Sequence, residues 1–464
     1  MSAPEDVVRF GNEWIITWRG VRLVFRKVHE SHGELRAILT VERTDGSRWL
    51  NLAGPTTVNL VSIEGQKRTG DALAKRIGAS DTNWFDLVSS ACTIVHYQWT
   101  APPPAVGAQD AALRSVGPID WVLPGLILAG ETSMLYGDGA SAKSMLALLI
   151  AICVSLGIEL PWGARPTKRL RVAYLDWETN DVTFGRRLRR LCDGLEVPVP
   201  SNEDLVYMGT IAGDTNAPVL GMLADEVDSL RTYISRERIG LVVADSVGFM
   251  LNGKLSDDDV ARAAINNLRL LGGSVTRLAV HHVSRDSALR QGNARVDPFG
   301  SIYFRNGARS GFEVRKSEEQ SSKNEMHLGL YQHKANDGAL GEPFALRVHF
   351  IPDGAVRFEK CAMYEAPDLA QRAPLQQQVL EVLQQHGPSD SRKVAYLIGR
   401  TDQAGQESVR VTLNKLQKSG QVMQVRPGIA GQPAIWALTP VTDVPEPFRG
   451  ALDDLPLEPE DDAQ

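Results

Sequence analysis

The chain has 464 residues, of which 43 % are hydrophobic, a net charge of −6 and four isolated cysteines (Cys92, Cys153, Cys192, Cys361). Its length accommodates two to four domains, each with its own core, and the net charge excludes a uniformly basic nucleic-acid binder. No apolar run reaches the roughly 18 residues of a membrane span, no basic leader with an apolar core opens the chain, and no C-x-x-C pair suggests zinc or a disulfide framework, so the expectation is a cytoplasmic protein with free buried thiols and no membrane partner.

Residues 1–99 read as a small α+β domain. Val21 to Phe25 and Leu35 to Val41 are strand candidates, Asp45-Gly46 is a hairpin signal, and Trp49 to Leu52 follows it. The periodicity turns helical from Asp71 to Ile77 and from Trp84 to Val95. His29 and His32 read as exposed histidines of a polar turn rather than metal ligands. Residues 100–117 form a linker, stiff at Ala101-Pro102-Pro103-Pro104 and loose from Gly107 to Asp110.

The organising stretch comes next. Thr132 to Tyr136 is a short buried strand, a Gly-containing turn follows, and Met145 to Ile150 begins a buried helix. Strand, loop, Lys143-Ser144 and helix is the layout of a loop that cradles phosphates on backbone N–H groups, so Gly137, Asp138, Gly139, Ala140, Ser141, Ala142, Lys143, Ser144 and Met145 are candidate ATP-binding residues. Lys143 supplies charge to the β/γ-phosphates and the Ser144 hydroxyl is a ligand for Mg²⁺. The usual pattern has glycine before the lysine; here that position is Ala142, whose methyl group crowds the phosphates or requires an unfavourable backbone angle.

Two further apolar runs end in acids, as expected of parallel strands covered on both faces with ligands at their carboxyl ends. Arg171 to Glu178 is one; Glu178 either activates the water that attacks the γ-phosphate or caps the helix carrying Phe184, Leu188 and Leu191. Ile239 to Ser246 is the other, with Asp245 as a second, water-mediated Mg²⁺ group. A helix is expected from Val260 to Leu271, and Thr276 to His282 is a strand tipped by paired histidines. The long polar stretch from Val283 to Pro298 carries Arg285, Arg290 and Arg295, candidates for a phosphate backbone. Phe312 to Arg315, Leu328 to Lys334, Phe344 to Phe350 and Val356 to Phe358 complete the strands, the last two as antiparallel edge strands.

Tyr-Leu-Asp-Trp-Glu (174–178), Ala-Asp-Ser (244–246), Val-His-His (280–282) and Pro-Phe-Gly-Ser (298–301), in this order behind the phosphate loop, resemble the RepA-like branch of hexameric replicative helicase ATPases over residues 118–362. The resemblance implies an α/β, RecA-like P-loop NTPase core with a mostly parallel central sheet. It also implies ATP and Mg²⁺ as cofactors and single-stranded DNA in the channel of a homo-oligomer, usually a hexamer. Glu178 is the water-activating residue by that resemblance, and His282 or His281 couples nucleotide state to the DNA loop. Lys334 or Arg309 would reach a neighbour's nucleotide in trans. Ala142 departs from the family pattern and brings ATP affinity and turnover into question. An ATP-gated DNA-binding regulator or helicase loader is the alternative.

Residues 374–440 read as three helices and a hairpin, an arrangement that resembles a winged helix. Val409, Leu413 and Leu416 face inward on the third helix, and Arg410 and Lys415 face outward as candidate contacts to duplex DNA. Residues 441–464 form an acidic, proline-containing tail.

Overall fold

The computed structural model describes residues 3–18, 20–44, 49–77, 82–102, 105–114, 117–214, 220–283, 298, 300–352, 354–370, 372–429 and 433–440. The Asp45-Gly46 turn, Phe299, Arg285, Arg290, Arg295 and the acidic tail lie outside the described residues. The chain divides into two compact units. One comprises residues 1–315, 330–341 and 348–359, and the other residues 316–329, 342–347 and 360–464.

The first unit opens with an antiparallel meander of β1 (Asp6–Phe10), β2 (Glu13–Trp18), β3 (Val21–Ser31), β4 (Glu34–Thr44) and β5 (Trp49–Asn59). One face of this sheet buries Trp14, Ile16, Leu23, Phe25, Leu39 and Val41 against α1 (Ile63–Ile77) and α2 (Trp84–Thr100). Alternation along β2 and β4 turns those side chains to one face, where burial of large apolar groups stabilises the small domain. His29 belongs to β3, and only His32 lies in the turn. The helix expected from Asp71 begins eight residues earlier, at Ile63. The stretch read as loose carries the short helix α3 (Ala108–Arg114).

A nine-stranded sheet runs through residues 132–361. Its elements are β8 (Thr132–Gly137), β9 (Val172–Asn180), β10 (Leu205–Thr210), β11 (Leu241–Asp245), β12 (Thr276–His282), β13 (Ser310–Lys316), β14 (Glu325–Ala335), β15 (Phe344–Phe350) and β16 (Val356–Cys361). The small hairpin of β6 (Trp121–Leu123) and β7 (Ile127–Leu128) precedes it. The order is β10-β9-β11-β12-β8-β13-β14-β15-β16, so β16 is an edge strand and β15 is not. From β10 through β13 every neighbouring pair is parallel. Helices α4 (Lys143–Leu156), α5 (Asp181–Leu195), α6 (Leu223–Arg236) and α7 (Asp258–Leu270) are the crossovers that parallel pairing requires.

β8, β11 and β12 are buried almost throughout, which is why they read as continuous apolar runs. The histidine-tipped β12 stands between the phosphate-loop strand β8 and the Asp245 strand β11. The core is α/β and RecA-like, with a mostly parallel central sheet. α8 (Ile302–Gly307) precedes β13, and its Phe304 is fully buried.

In the second unit α9 (Pro367–Ala370) leads to α10 (Leu375–His386), α11 (Ser391–Leu397) and α12 (Gln403–Lys418). A three-stranded sheet joins β17 (Ser389–Asp390), β19 (Ile435–Leu438) and β18 (Val422–Arg426), in that order. Val379, Val382, Leu383, Val409, Leu413, Leu416 and Trp436 form its core. No helix among the described residues is long and apolar enough to cross a membrane.

Candidate nucleotide site

The carboxyl ends of β8, β9, β11 and β12 converge on one rim of the sheet. At Gly137 the backbone of β8 approaches β13 so closely that a Cβ would lie 2.0 Å from the Val314 carbonyl oxygen, so glycine is required there. The loop then enters α4 through Ala142, whose φ of 55° and ψ of 20° are left-handed. Ala140 is also left-handed, at φ 59°. Each non-glycine residue in that region costs about 1–2 kcal/mol. The strain falls on the position where the usual pattern has glycine.

Lys143 is buried, and its ammonium donates to the Asp138 carbonyl at 2.5 Å and to Ser141 Oγ at 3.3 Å. Burial lowers its pKa to about 8, against the opposing pull of Asp245, Glu178 and Asp138.

Asp245 is 2 % exposed. Its Oδ2 accepts from the Tyr174 hydroxyl at 2.6 Å, while Oδ1 is buried without a hydrogen-bond partner among the described residues. Burial raises this carboxyl to about 6, opposed first by the hydrogen bond from Tyr174. A buried carboxylate oxygen with no donor is costly, and it suits a water bound to a cation beside Ser144. Ser144 and Asp245 therefore fit the Mg²⁺ role expected of them.

Glu178 is the third group. Its Oε1 accepts from Ser246 Oγ at 2.5 Å and lies 3.2 Å from His282 Nε2. The His282 contact, seconded by Ser246, holds its pKa below the usual carboxylate value despite partial burial. Both contacts fall on Oε1. The residue does not cap α5: that role belongs to Asn180, whose side chain accepts from the Thr183 amide at 2.9 Å.

Asp176, which the sequence reading did not single out, sets this geometry. Its Oδ1 accepts from the amides of Glu178 and Thr179, both at 2.8 Å, and its Oδ2 accepts from Thr179 Oγ1 at 2.5 Å. A carboxylate folded back on the backbone two and three residues ahead turns the strand end over. The signal available in sequence was an Asp-x-x-Thr spacing at the end of an apolar run.

The paired histidines separate. His281 is fully buried and packs edge-on against Phe304, with ring centroids 4.6 Å apart, whereas His282 reaches Glu178. Lys334 donates to the carbonyls of Arg305 and Asn306 at 2.9 and 2.8 Å, at the end of α8. Arg309 is partly exposed, 3.8 Å from Glu131, and its amide bonds the Thr132 carbonyl. Both therefore lie towards the amino end of β8, away from this chain's own phosphate loop. Ser301 caps α8 and donates to Asp258 at 2.5 Å. Arg410 and Lys415 are exposed on α12, where Arg410 pairs with Glu407 at 2.7 Å.

Among the described residues one group of metal-ligand type, His327, Cys361 and Glu365, gathers in the second unit. It is already satisfied: His327 meets the Gln320 carbonyl at 2.8 Å and Arg347 at 3.3 Å, Arg347 pairs with Glu365, and burial pushes the Cys361 thiol up to about 12. A guanidinium occupies the place of a cation.

Residues 100–288 match the AAA domain family. A solved KaiC-like protein from the hyperthermophilic archaeon Pyrococcus horikoshii OT3 aligns at 11 % identity and a TM-score of 0.35, over 52 % of this chain and 99 % of that one. No curated protein matches. Taken with the strand order and the rim of Lys143, Asp245 and Glu178, the family match identifies residues of this region as a P-loop ATPase domain.

Proposed function

We propose that the chain is an ATP-hydrolysing motor acting on DNA, a RepA-like replicative helicase that translocates on single-stranded DNA as a homo-oligomer, usually of six. The observation that carries the hydrolytic part is Glu178. A pure nucleotide switch needs no water-activating base, yet here a carboxylate is held ionised on the phosphate rim with Ser246 and His282 fixing one oxygen. The other oxygen, Oε2, is left to take a proton from water.

The backbone N–H groups of residues 137–144 and the Lys143 ammonium bind the β/γ-phosphates. Ser144, and Asp245 through water, would hold Mg²⁺, which would supply charge neutralisation on the transferred phosphoryl group. Glu178 orients and deprotonates the attacking water. His282 joins Glu178 to the segment containing Arg285, Arg290 and Arg295, and so relates nucleotide state to a strand held electrostatically. Arg309 and Lys334 would serve a neighbouring subunit's nucleotide. Residues 374–440 act as a winged helix, with Arg410 and Lys415 on the exposed face of its third helix.

A second reading rests on Ala142. Its left-handed conformation under a methyl group favours an ATP-gated DNA-binding regulator or loader with slow turnover. The test is ATP turnover with and without single-stranded DNA, for the wild type, Lys143→Ala and Glu178→Gln. Stimulated turnover lost in both variants supports the motor. ATP binding without turnover in the wild type overturns it in favour of the switch.

A further inference from the structure

The opposite rim of the same sheet carries an unbalanced set of cations. Residues that enter β11 and β12 at their amino ends, together with the end of β1, line a concavity of about 590 Å³. Arg9 comes from the N-terminal meander, Arg231 from α6 and Arg238 from the turn after it. Gly272 and Ser274 form the floor, and no acidic residue lines the concavity among the described residues.

These arginines are poorly neutralised. Among the described residues Arg9 binds only neutral partners: the Gly11 and Gln98 carbonyls at 3.1 and 3.3 Å, and the face of Trp14 at 4.4 Å. Among the described residues Arg231 has one carboxylate, Asp228, at a long 3.4 Å, and its Nε is buried without a partner. The Arg238 guanidinium forms no ion pair among the described residues and is exposed. Arg9 and Arg231 are close enough that Arg231, after burial, depresses the Arg9 pKa. Like charges brought together by the docking of one domain on another are stabilised by an anion between them.

We propose that Arg9, Arg231 and Arg238 form a second phosphate-binding site, on the rim opposite the nucleotide, that takes consecutive phosphates of a nucleic-acid backbone. The volume exceeds what a single phosphate fills, and planar guanidinium forks match phosphate oxygens. The site gives the N-terminal domain a role, because Arg9 completes a surface whose other cations belong to the ATPase core. It stands apart from the motor reading, since it requires neither turnover nor the segment 283–298. Free polyphosphate presents the same chemistry and is the other source the test separates.

The experiment is fluorescence anisotropy of a dye-labelled oligothymidylate across a salt series, with tripolyphosphate binding measured by calorimetry. Both are done in a Lys143→Ala background so that the phosphate loop does not capture the probe. Arg238→Glu is expected to weaken oligonucleotide binding by roughly three- to tenfold and to flatten the salt slope by about one. Arg238→Lys, which keeps the charge, should restore most of the affinity. Thermal unfolding of each variant reads whether the fold is retained. Tripolyphosphate binding that depends on Arg238, with no oligonucleotide binding, supports the phosphate site and assigns it to free polyphosphate. Oligonucleotide affinity and slope unchanged in both Arg238→Glu and Arg9→Gln overturn the proposal and leave the motor reading untouched. So does the absence of binding by either probe.

Discussion

The Tyr174 hydroxyl donates to Asp245 Oδ2 across 2.6 Å, between neighbouring parallel strands. Tyr174 is fully enclosed, so the bond is shielded from water and fixes which carboxylate oxygen is turned toward the phosphate loop. A positioned carboxylate with one free oxygen is what a water-mediated cation ligand needs.

Tyr174→Phe keeps the ring packing and deletes that donor. Leaving a buried acceptor unpaired costs about 1–3 kcal/mol. The half-saturating Mg²⁺ concentration is expected to rise roughly tenfold, by analogy with lost outer-shell partners at other metal sites, while nucleotide affinity without Mg²⁺ holds. Titration of a fluorescent ATP analogue with and without Mg²⁺ separates the two. Equal weakening in both conditions would mean that Tyr174 only supports packing.

Lys143 makes nucleotide binding pH-dependent in a direction that can be worked out. Its pKa in the free protein is lowered to about 8 from an ordinary 10.5. Raising pH through 8 removes the charge proposed to bind phosphate, so affinity should fall toward tenfold per pH unit above 8. Folding stability should move oppositely. Between about 8 and 10.5 the unfolded chain binds more protons at this group, so its contribution to stability grows as pH rises. Affinity that stays flat to pH 9.5 would show that Lys143 keeps its proton without ligand.

Ala142→Gly should relieve a left-handed alanine at the entrance to α4. The expected gain is about 1 kcal/mol, reduced by the added freedom of glycine in the unfolded chain. A methyl group is also removed beside the phosphates, so ATP affinity should improve together with turnover. Calorimetric unfolding and steady-state kinetics check each half. Faster turnover in this variant would make Ala142 the cause of any slow hydrolysis in the wild type.

Much of this rim could be read from the amino acids in order, for one physical reason. β8, β11 and β12 are covered on both faces and therefore stay apolar until the chain meets the ligand side, where Lys143, Asp245 and His282 break the run. The stretch from Leu205 to Arg236 escaped the reading. β10 is a half-buried edge strand without clear alternation, and α6 spreads its buried residues as Leu223, Val227, Leu230 and Ile234 among charges. Periodicity also could not choose between His281 and His282. The pleat sends them to opposite faces, and only the position of Phe304, some twenty residues on, shows which face is core. Asp176 was hidden differently: two of its partners are backbone amides, and the third, the Thr179 hydroxyl, leaves only a short Asp-x-x-Thr spacing as its trace.

That residue allows the sharpest separation of chemistry from binding. Asp176 contacts the amides of Glu178 and Thr179 and the Thr179 hydroxyl, and among the described residues none of its hydrogen bonds goes to the phosphate loop. Asp176→Ala should free the end of β9 and let Glu178 drift from the position proposed for orienting water. A misplacement of about 1 Å can cost on the order of a hundredfold in rate. The expectation is therefore a 10- to 100-fold loss in kcat, by the same argument, with ATP affinity nearly unchanged. Asp176→Asn keeps an acceptor for both amides and should recover much of the rate. If Asp176→Ala weakens ATP binding as much as turnover, the turn supports the whole rim, and Glu178 has no separate dependence on it.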